Sequence, residues 1–260
     1  ESRSIVKITI AGYGYVGKAL EKILSRYHQT EIIDPKYTNN KIKKDTDAVV
    51  VCVGTPEGNE GVCNMRHVHE VVRDCPDVPI LIKSTISLEG WNYLIKTYDK
   101  RLAFSPEFLR EAHAMKDVED CDNILLGGAE TEFWKKIFIK VYRNIPYIHV
   151  ADPQELILAK YFRNAFLATK ISFFNQIYDL CKASNIDYNA VRLAVCQDLR
   201  VNGSHSLVTK ERGFGGHCFP KDTKAILQSA LYYGVNLSIL KEVVEYNQTL
   251  KDGEHENKKN

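Results

Sequence analysis

A glycine-rich segment around Cys218 has the residue types of a nucleophilic site. Residues 213–222 read Gly-Phe-Gly-Gly-His-Cys-Phe-Pro-Lys-Asp, so three glycines just before the cysteine would let a ligand approach the backbone closely. Pro220 suits the first turn of a helix, and a helix N-terminus favours the thiolate form of a cysteine. Lys221 adds a positive charge, and Asp222 could act as a base. The segment predicts an activated nucleophile, with a buried cysteine in a tight turn as the alternative.

Two pairs of polar residues have helical spacing. Lys160 and Asn164 are four residues apart in a segment without glycine or proline, which predicts that both lie on one face of a helix. An ammonium and an amide in that arrangement could both donate to a developing oxyanion. Glu107 and Glu111 offer two carboxylates at the same spacing. Taken alone, each pair is also typical of exposed, solvated side chains.

A second glycine motif, G-x-G-x-x-G, occupies residues 12–17, with a strand-like segment before it and a helical one after it. Gly12 would permit the tight turn, and Gly14 would let a pyrophosphate approach the backbone. Gly17 would let the helix pack closely on the strand. The helix N-terminus would attract the phosphates. Asp34, at the end of the next strand, could accept hydrogen bonds from both ribose hydroxyls and would repel a 2′-phosphate. The motif therefore predicts an NAD site, the alternative being a chance glycine-rich turn.

Thr55 follows a continuous β-branched run, residues 48–53. Ligands of doubly wound sheets bind outside the carboxyl ends of the strands. Thr55 would face a cofactor there, although a plain turn explains the segment equally well.

The elements that would position these residues alternate between strand and helix over residues 1–150. Apolar runs predict strands at residues 5–10, 30–33, 48–53, 80–82, 102–104, 124–126 and 145–150, and helical spacing recurs at residues 15–27, 68–73 and 132–142. This alternation predicts an α/β fold with a Rossmann-type doubly wound parallel sheet.

The pattern becomes mainly helical over residues 151–250. It predicts one long helix from 154 to about 184 and shorter helices at 188–197 and 223–233. The polar residues 251–260 predict a disordered tail. We therefore expect an NAD-binding domain, then a helical central domain that carries the cysteine loop.

Composition excludes several classes of protein. With 260 residues, 44% of them hydrophobic, the chain is neither disordered nor a disulfide scaffold, and a net charge of +2 argues against a nucleic-acid-binding face. The longest apolar run, residues 48–53, is too short to span a membrane. The seven cysteines have irregular spacing without a C-x-x-C, so we expect no metal site and a reducing, cytoplasmic location.

Taken together, these segments resemble the UDP-glucose/GDP-mannose dehydrogenase family. The matching segments, residues 12–17, 51–56, 84–86, 105–111, 160–175 and 213–222, occur in the family's order, and the resemblance covers most of residues 7–250. The match of the cysteine loop is highly specific. The resemblance implies an NAD-dependent oxidation of UDP-glucose, or a related nucleotide sugar, in two steps to the carboxylate, with two NAD and one water and without release of the aldehyde.

The resemblance also implies roles for individual residues. Cys218 would attack the aldehyde to give a thiohemiacetal, which is oxidised to a thioester and hydrolysed. Lys160 and Asn164 would stabilise the oxyanions. Asp222 would act with a water as a base. Glu107 and Thr85 would hold water in the site, with Glu107 a candidate acid or base.

Binding roles follow in the same way. Besides the three glycines and Asp34, the cofactor would be contacted by Tyr13, Tyr15, Val16, Thr55, Thr85, Glu111 and Lys221. The sugar nucleotide would be contacted by Glu107, Phe108, Leu109, Arg110, Glu111, Lys160, Asn164, Arg200, Phe214, Gly215 and Cys218.

The match departs from the family in two places. The family's Arg-Ile-Gly segment reads Arg-Val-Asn-Gly-Ser-His over residues 200–205, and the loop that follows lacks the usual proline. Family members also continue into a third, UDP-binding domain, and we expect this chain to be a short form without it. A natural minimal enzyme, a partner chain that supplies the domain, and a shortened chain all remain open.

Other interpretations are a two-domain hydroxyacid dehydrogenase, which makes one NADH per substrate, and a non-enzymatic NAD-binding dimer that needs a partner chain to bind UDP. The long helix has more apolar surface than one domain face needs, at Leu156, Phe162, Phe166, Leu167, Ile171, Phe174 and Ile177. In the family the equivalent helix forms the dimer core, so we expect a homodimer.

Overall fold

The computed structural model describes residues 5–38, 41–142, 144 and 146–257. The chain forms two compact units, one of Glu1–Pro56 with Cys63–Lys160 and one of Glu57–Val62 with Tyr161–Asn260. The division falls at Lys160, inside a long helix, rather than at residue 150. A short segment of the N-terminal half, Glu57–Val62, belongs to the second unit.

The first unit contains a sheet of seven strands. They are β1 Lys7–Ala11, β2 Gln29–Ile33, β3 Ala48–Val51, β4 Ile80–Ile82, β5 Leu102–Phe104, β6 Asn123–Gly128 and β7 Tyr147–Val150. The order is β2-β1-β3-β4-β5-β6-β7. Adjacent strands are parallel except β5 and β6, which pair antiparallel, with Ala103 opposite Gly128. The doubly wound α/β fold is confirmed, with this one reversal that the strand pattern does not reveal. Ile145, in the last predicted strand, lies outside the described residues.

Five helices flank the sheet strands in sequence: α1 Tyr15–Leu24, α2 Arg66–Asp74, α3 Leu88–Thr97, α4 Ala114–Glu119 and α5 Thr131–Val141. Helix α1 buries one apolar face that includes Leu20 and Ile23. This face joins Ile8 and Ile10 of β1 and Trp134 of α5 in one core cluster. All four residues of β3 are buried, as expected of a central parallel strand.

Helices dominate the rest of the chain. They are α6 Pro153–Ala183, α7 Tyr188–Cys196, α8 Cys218–Tyr232 and α9 Ser238–Asn257. Helix α6 confirms the predicted long helix, whereas α8 begins at Cys218 rather than at Thr223. Helix α9 was not predicted, although its apolar residues Leu240, Val243, Val244 and Leu250 have helical spacing. It also includes residues 251–257, where a tail was expected, and Lys251 donates to the carbonyl of Glu211. Residues 258–260 lie outside the described part of the chain.

Two findings bear on the broad class of the protein. Over the described residues, no helix combines the length and apolar character that a membrane crossing requires. None of the seven cysteines, all of which lie among the described residues, is in a disulfide.

Candidate active site

The glycine turn between β1 and α1 is shaped by two close approaches. Gly12 has φ +96°, and a Cβ there would lie 2.6 Å from the carbonyl of Cys52. A Cβ on Gly17 would collide with the carbonyl oxygen of Gly12. At Gly14, the residue before α1, a Cβ would meet no atom within 4 Å among the described residues. Gly12 and Gly17 are thus required by the fold, whereas the space beside Gly14 is open to a ligand at a helix N-terminus.

Asp34 lies beside this turn. One carboxylate oxygen accepts from the backbone N–H of Tyr13 at 2.8 Å, and the other from that of Lys36 at 2.9 Å. The rings of Tyr13 and Tyr37 meet edge to face at 5.4 Å, and Lys18 Nζ lies 3.3 Å from the Tyr37 hydroxyl. The open turn, the helix end and the fixed carboxylate together fit a dinucleotide. Sequence reasoning missed Lys18 and Tyr37, because neither belongs to the glycine motif.

A buried ion pair lies at the carboxyl ends of β4 and β5. Lys83 Nζ is 3.0 Å from Glu107 Oε2, and it also donates to Ser105 Oγ at 3.1 Å. The other Glu107 oxygen accepts from the N–H of Phe108 at 2.9 Å. Both carboxylate oxygens of Glu107 therefore have partners. Sequence reasoning did not single out Lys83, although its place directly after a strand was a usable signal.

Lys160 is directed at the same segment. Its Nζ donates to the Glu107 carbonyl at 2.6 Å and lies 5.7 Å from the Phe108 ring centroid. Lys160 is buried. Two cationic side chains therefore hold Glu107, Lys83 at the carboxylate and Lys160 at the backbone.

The other predicted site residues in and near segment 105–111 do not form one cluster with Glu107. Residues 105–110 are not helical, so Glu107 and Glu111 do not share a helix face. Glu111 is exposed and begins the 3₁₀ turn Glu111–His113. Arg110 forms a two-pronged pair with Asp117, and its hydrogen bonds hold the pKa of Asp117 at about 2. Thr55 is buried, Thr85 is half-buried, and Leu109 packs against the core.

Cys52, at the end of β3, is a poor nucleophile. Burial raises the pKa of its thiol to about 12, although the charge of Lys83 acts in the opposite direction. Cys75 has a pKa of about 12 for the same reason. Cys218, by contrast, is exposed.

In the second unit, Cys218 is the first residue of α8. One turn later, Asp222 is 1% exposed, and its Oδ2 accepts from Asn164 Nδ2 at 2.7 Å. Lys221 Nζ lies 2.9 Å from Oδ1 without hydrogen-bond geometry, so Oδ1 has no hydrogen-bond donor among the described residues. A buried carboxylate oxygen in this state can accept from a water or a ligand hydroxyl.

The predicted substrate residues Phe214, Gly215 and Arg200 differ in exposure. Phe214 is 2% exposed, so its side chain belongs to the core, while Gly215 is exposed and a Cβ there would meet nothing within 4 Å. Arg200 is extended into solvent and forms a two-pronged pair with Asp198. Gly215 and Arg200 are therefore accessible to a ligand, whereas the Phe214 side chain is not.

Two models of one family match the chain. The model described as "UDP-glucose/GDP-mannose dehydrogenase family, NAD binding domain" matches residues 18–146, and that of the family's central domain matches residues 155–249. The first match begins after the glycine turn.

Individual relatives of this chain carry names from the same family. The UDP-glucose 6-dehydrogenase of Pseudomonas aeruginosa is 32% identical over 227 residues, which is 80% of this chain and 50% of the relative. The Bacillus subtilis UDP-glucose 6-dehydrogenase YwqF is 34% identical over 217 residues, 77% of this chain and 48% of the relative. A UDP-glucose dehydrogenase structure from the archaeon Pyrobaculum islandicum superposes with a TM-score of 0.82 at 26% identity, covering 96% of this chain and 69% of that one. The chain spans about half the length of the curated relatives it matches.

Proposed function

This chain belongs to the UDP-glucose/GDP-mannose dehydrogenase family, and on that basis we propose that it oxidises UDP-glucose to UDP-glucuronate in two NAD-dependent steps. The observation that carries the proposal is the first turn of α8, where an exposed cysteine is followed by a buried aspartate paired with Asn164. A single oxidation of an alcohol needs no such thiol. A nucleophilic thiol is useful where an aldehyde has to be oxidised further.

The first oxidation removes a hydride from C6 and a proton from its hydroxyl, which gives the aldehyde, and the proton passes through a water to Asp222. The glycine turn of residues 12–17 would hold NAD, which would supply the hydride acceptor, and the two oxidations require two NAD molecules in succession. The sulfur of Cys218 then forms a bond to the aldehyde carbon, and the carbonyl oxygen becomes an alkoxide. Lys160, whose ammonium carries three N–H donors, and Asn164 donate to this oxygen.

Loss of a second hydride from the thiohemiacetal carbon leaves a thioester on Cys218. Water then adds to the thioester carbonyl, and the C–S bond breaks to release the carboxylate and regenerate the thiol. Asp222 accepts the proton of the attacking water through Oδ1, the oxygen without a hydrogen-bond donor among the described residues. Glu107 holds water near the reacting carbon.

The test is the yield of NADH at 340 nm with limiting UDP-glucose and excess NAD, run to completion. Two NADH per sugar, abolished in Cys218→Ala and Cys218→Ser, are expected. Cys196→Ser is the matched control, a half-buried thiol of the same unit, and should keep the full yield. One NADH per sugar would contradict the thioester route in favour of a single oxidation. No NADH despite NAD binding would indicate a binding module that needs a partner chain.

A further inference from the structure

We propose that Asn247, on helix α9, is a positioning residue that fixes the loop in front of Cys218. Its Oδ1 accepts from the backbone N–H of Phe214 at 2.7 Å, and its Nδ2 donates to the carbonyl of Phe214 at 3.1 Å. Asn247 is 8% exposed. One buried amide therefore satisfies both backbone groups of a residue four positions before the cysteine. The inference rests on the proposed role of Cys218.

The backbone next to this contact is in a conformation that needs support. Arg212 has φ 42° and Gly213 has φ 62°, both in the left-handed region that side chains disfavour. Asn175 of α6 supplies a second anchor, since its Oδ1 accepts from Arg212 Nε at 2.8 Å and from the N–H of Gly213 at 3.1 Å. Strained backbone of this kind persists only where its surroundings hold it, and it clusters at functional sites.

The glycines of the loop divide into two kinds. A Cβ on Gly213 would collide with Asn247 Oδ1, so a glycine is required there to admit the amide. At Gly215 and Gly216 a Cβ would meet nothing within 4 Å. The stretch from Gly215 to Cys218 is exposed, in contrast to the buried Phe214 before it. Its path depends on the anchor at Phe214 at one end and on the start of α8 at the other.

Helix α9 contacts both the segment before the loop and the helix after it. It packs against α8, and Lys251, one turn beyond Asn247, donates to the carbonyl of Glu211 at 2.6 Å. A purely structural role for Asn247 would affect the stability of the unit as a whole. A positioning role predicts an effect confined to residues 211–218 and to the reactivity of Cys218.

The experiment compares Asn247→Ala and Asn247→Asp with the wild type, with Gln248→Ala as an exposed control on the same helix. Hydrogen exchange of the peptide 211–218 and the rate of Cys218 alkylation by iodoacetamide, followed by mass spectrometry, are the main measurements. In N247A we expect at least tenfold faster exchange in this peptide, unchanged exchange in α8 and α9, and a severalfold change in alkylation rate. N247D keeps an acceptor for the Phe214 N–H but loses the donor to its carbonyl, and should be intermediate. Q248A should match the wild type.

Turnover provides a separate readout. We expect kcat for NADH formation to fall ten- to a hundredfold in N247A, as for a displaced catalytic group, with KM for NAD unchanged. Exchange and alkylation equal to the wild type would overturn the proposal, as would increased exchange spread evenly over α8 and α9. If N247A does not fold, the same measurements on N247D test the proposal by the same criteria. Neither main measurement needs turnover, so an inactive wild type would contradict the proposed function and leave this test intact.

Discussion

Lys83 and Glu107 form an ion pair, 3.0 Å long, whose side chains are only 6% and 15% exposed. The pair links the carboxyl ends of two neighbouring parallel strands, β4 and β5. Removing one partner of a buried ion pair leaves an uncompensated charge away from water, which typically costs about 3–5 kcal/mol.

We therefore expect Lys83→Met to lower the free energy of unfolding by about that amount, measured by urea denaturation. The control is Lys7→Met, which removes an ion pair with Asp45 that is exposed on both sides, and should leave the midpoint unchanged. Replacing both partners, K83M with Glu107→Leu, should regain most of the loss. If K83M loses no more free energy of unfolding than the control variant, water must reach the ion pair.

The glycine turn provides a prediction that separates binding from folding. Gly14→Ala adds a methyl group where the described residues leave space, so the melting temperature should stay within a few degrees of the wild type while NAD binding weakens at least tenfold by calorimetry. Gly17→Ala places a methyl group against the carbonyl of Gly12 and should destabilise the fold itself. Unimpaired NAD binding in G14A would argue against a pyrophosphate at this position.

His28 should make stability depend on pH. Burial, and secondarily the charge of Lys140, lowers its pKa below the ordinary 6.5, and its Nδ1 accepts from the N–H of Val6 at 3.3 Å. The unfolded chain therefore binds this proton more tightly. The contribution of the neutral ring is complete above the unfolded pKa and declines as pH falls below it.

We expect the free energy of unfolding to drop between pH 7.5 and pH 5.5, and this drop to be smaller in His28→Gln, which keeps an acceptor for Val6. Because the pKa values of His69 and His205 are also lowered by burial, part of the dependence should remain. Equal pH dependence in the wild type and H28Q would contradict the assignment.

Helix α6 should form a dimer contact. The side chains of Phe162, Phe166, Phe173 and Leu180 lie along one stripe of this helix and are 45–70% exposed. Covering such a stripe is favourable at roughly 25 cal/mol per Å². Light scattering at micromolar concentration should give twice the 29.6 kDa chain mass, reduced to one chain in Phe166→Asp. Lys182→Asp, on the opposite side of the helix, is the control. A monomeric wild type would contradict the prediction.

Local patterns were sufficient to predict much of this molecule. All seven strands were predicted, and the central ones, such as β3, follow directly from apolar runs, because strands buried on both faces must be apolar throughout. The cysteine at the start of a helix follows from Pro220 and the preceding glycines. These features depend on neighbouring residues in sequence, which a single chain displays directly.

What could not be predicted depends on contacts between distant residues. Lys83 looks like an exposed residue after a strand, and only its proximity to Glu107 makes it a buried ion pair. Helix α9 carries apolar residues at helical spacing, Leu240, Val243, Val244 and Leu250, so the helix had a local signal that was not used. The contact of Asn247 with Phe214 had none, because the two residues are far apart in sequence. The burial of Phe214 and the pairing of Arg200 with Asp198 likewise depend on how the loops close, which residue types alone do not determine.

The two backbone contacts of Asp34 have a consequence for the energetics of cofactor binding. Both carboxylate oxygens are already oriented by N–H groups, from Tyr13 and Lys36. Immobilising a side chain on binding usually costs about 0.5–1.5 kcal/mol of rotational entropy. At Asp34 that loss has already occurred during folding, so the ribose diol that we expect this residue to bind would meet a preorganised acceptor. The gain corresponds to up to about tenfold in Kd, and it comes from the conformation of the turn rather than from any additional contact with the ligand.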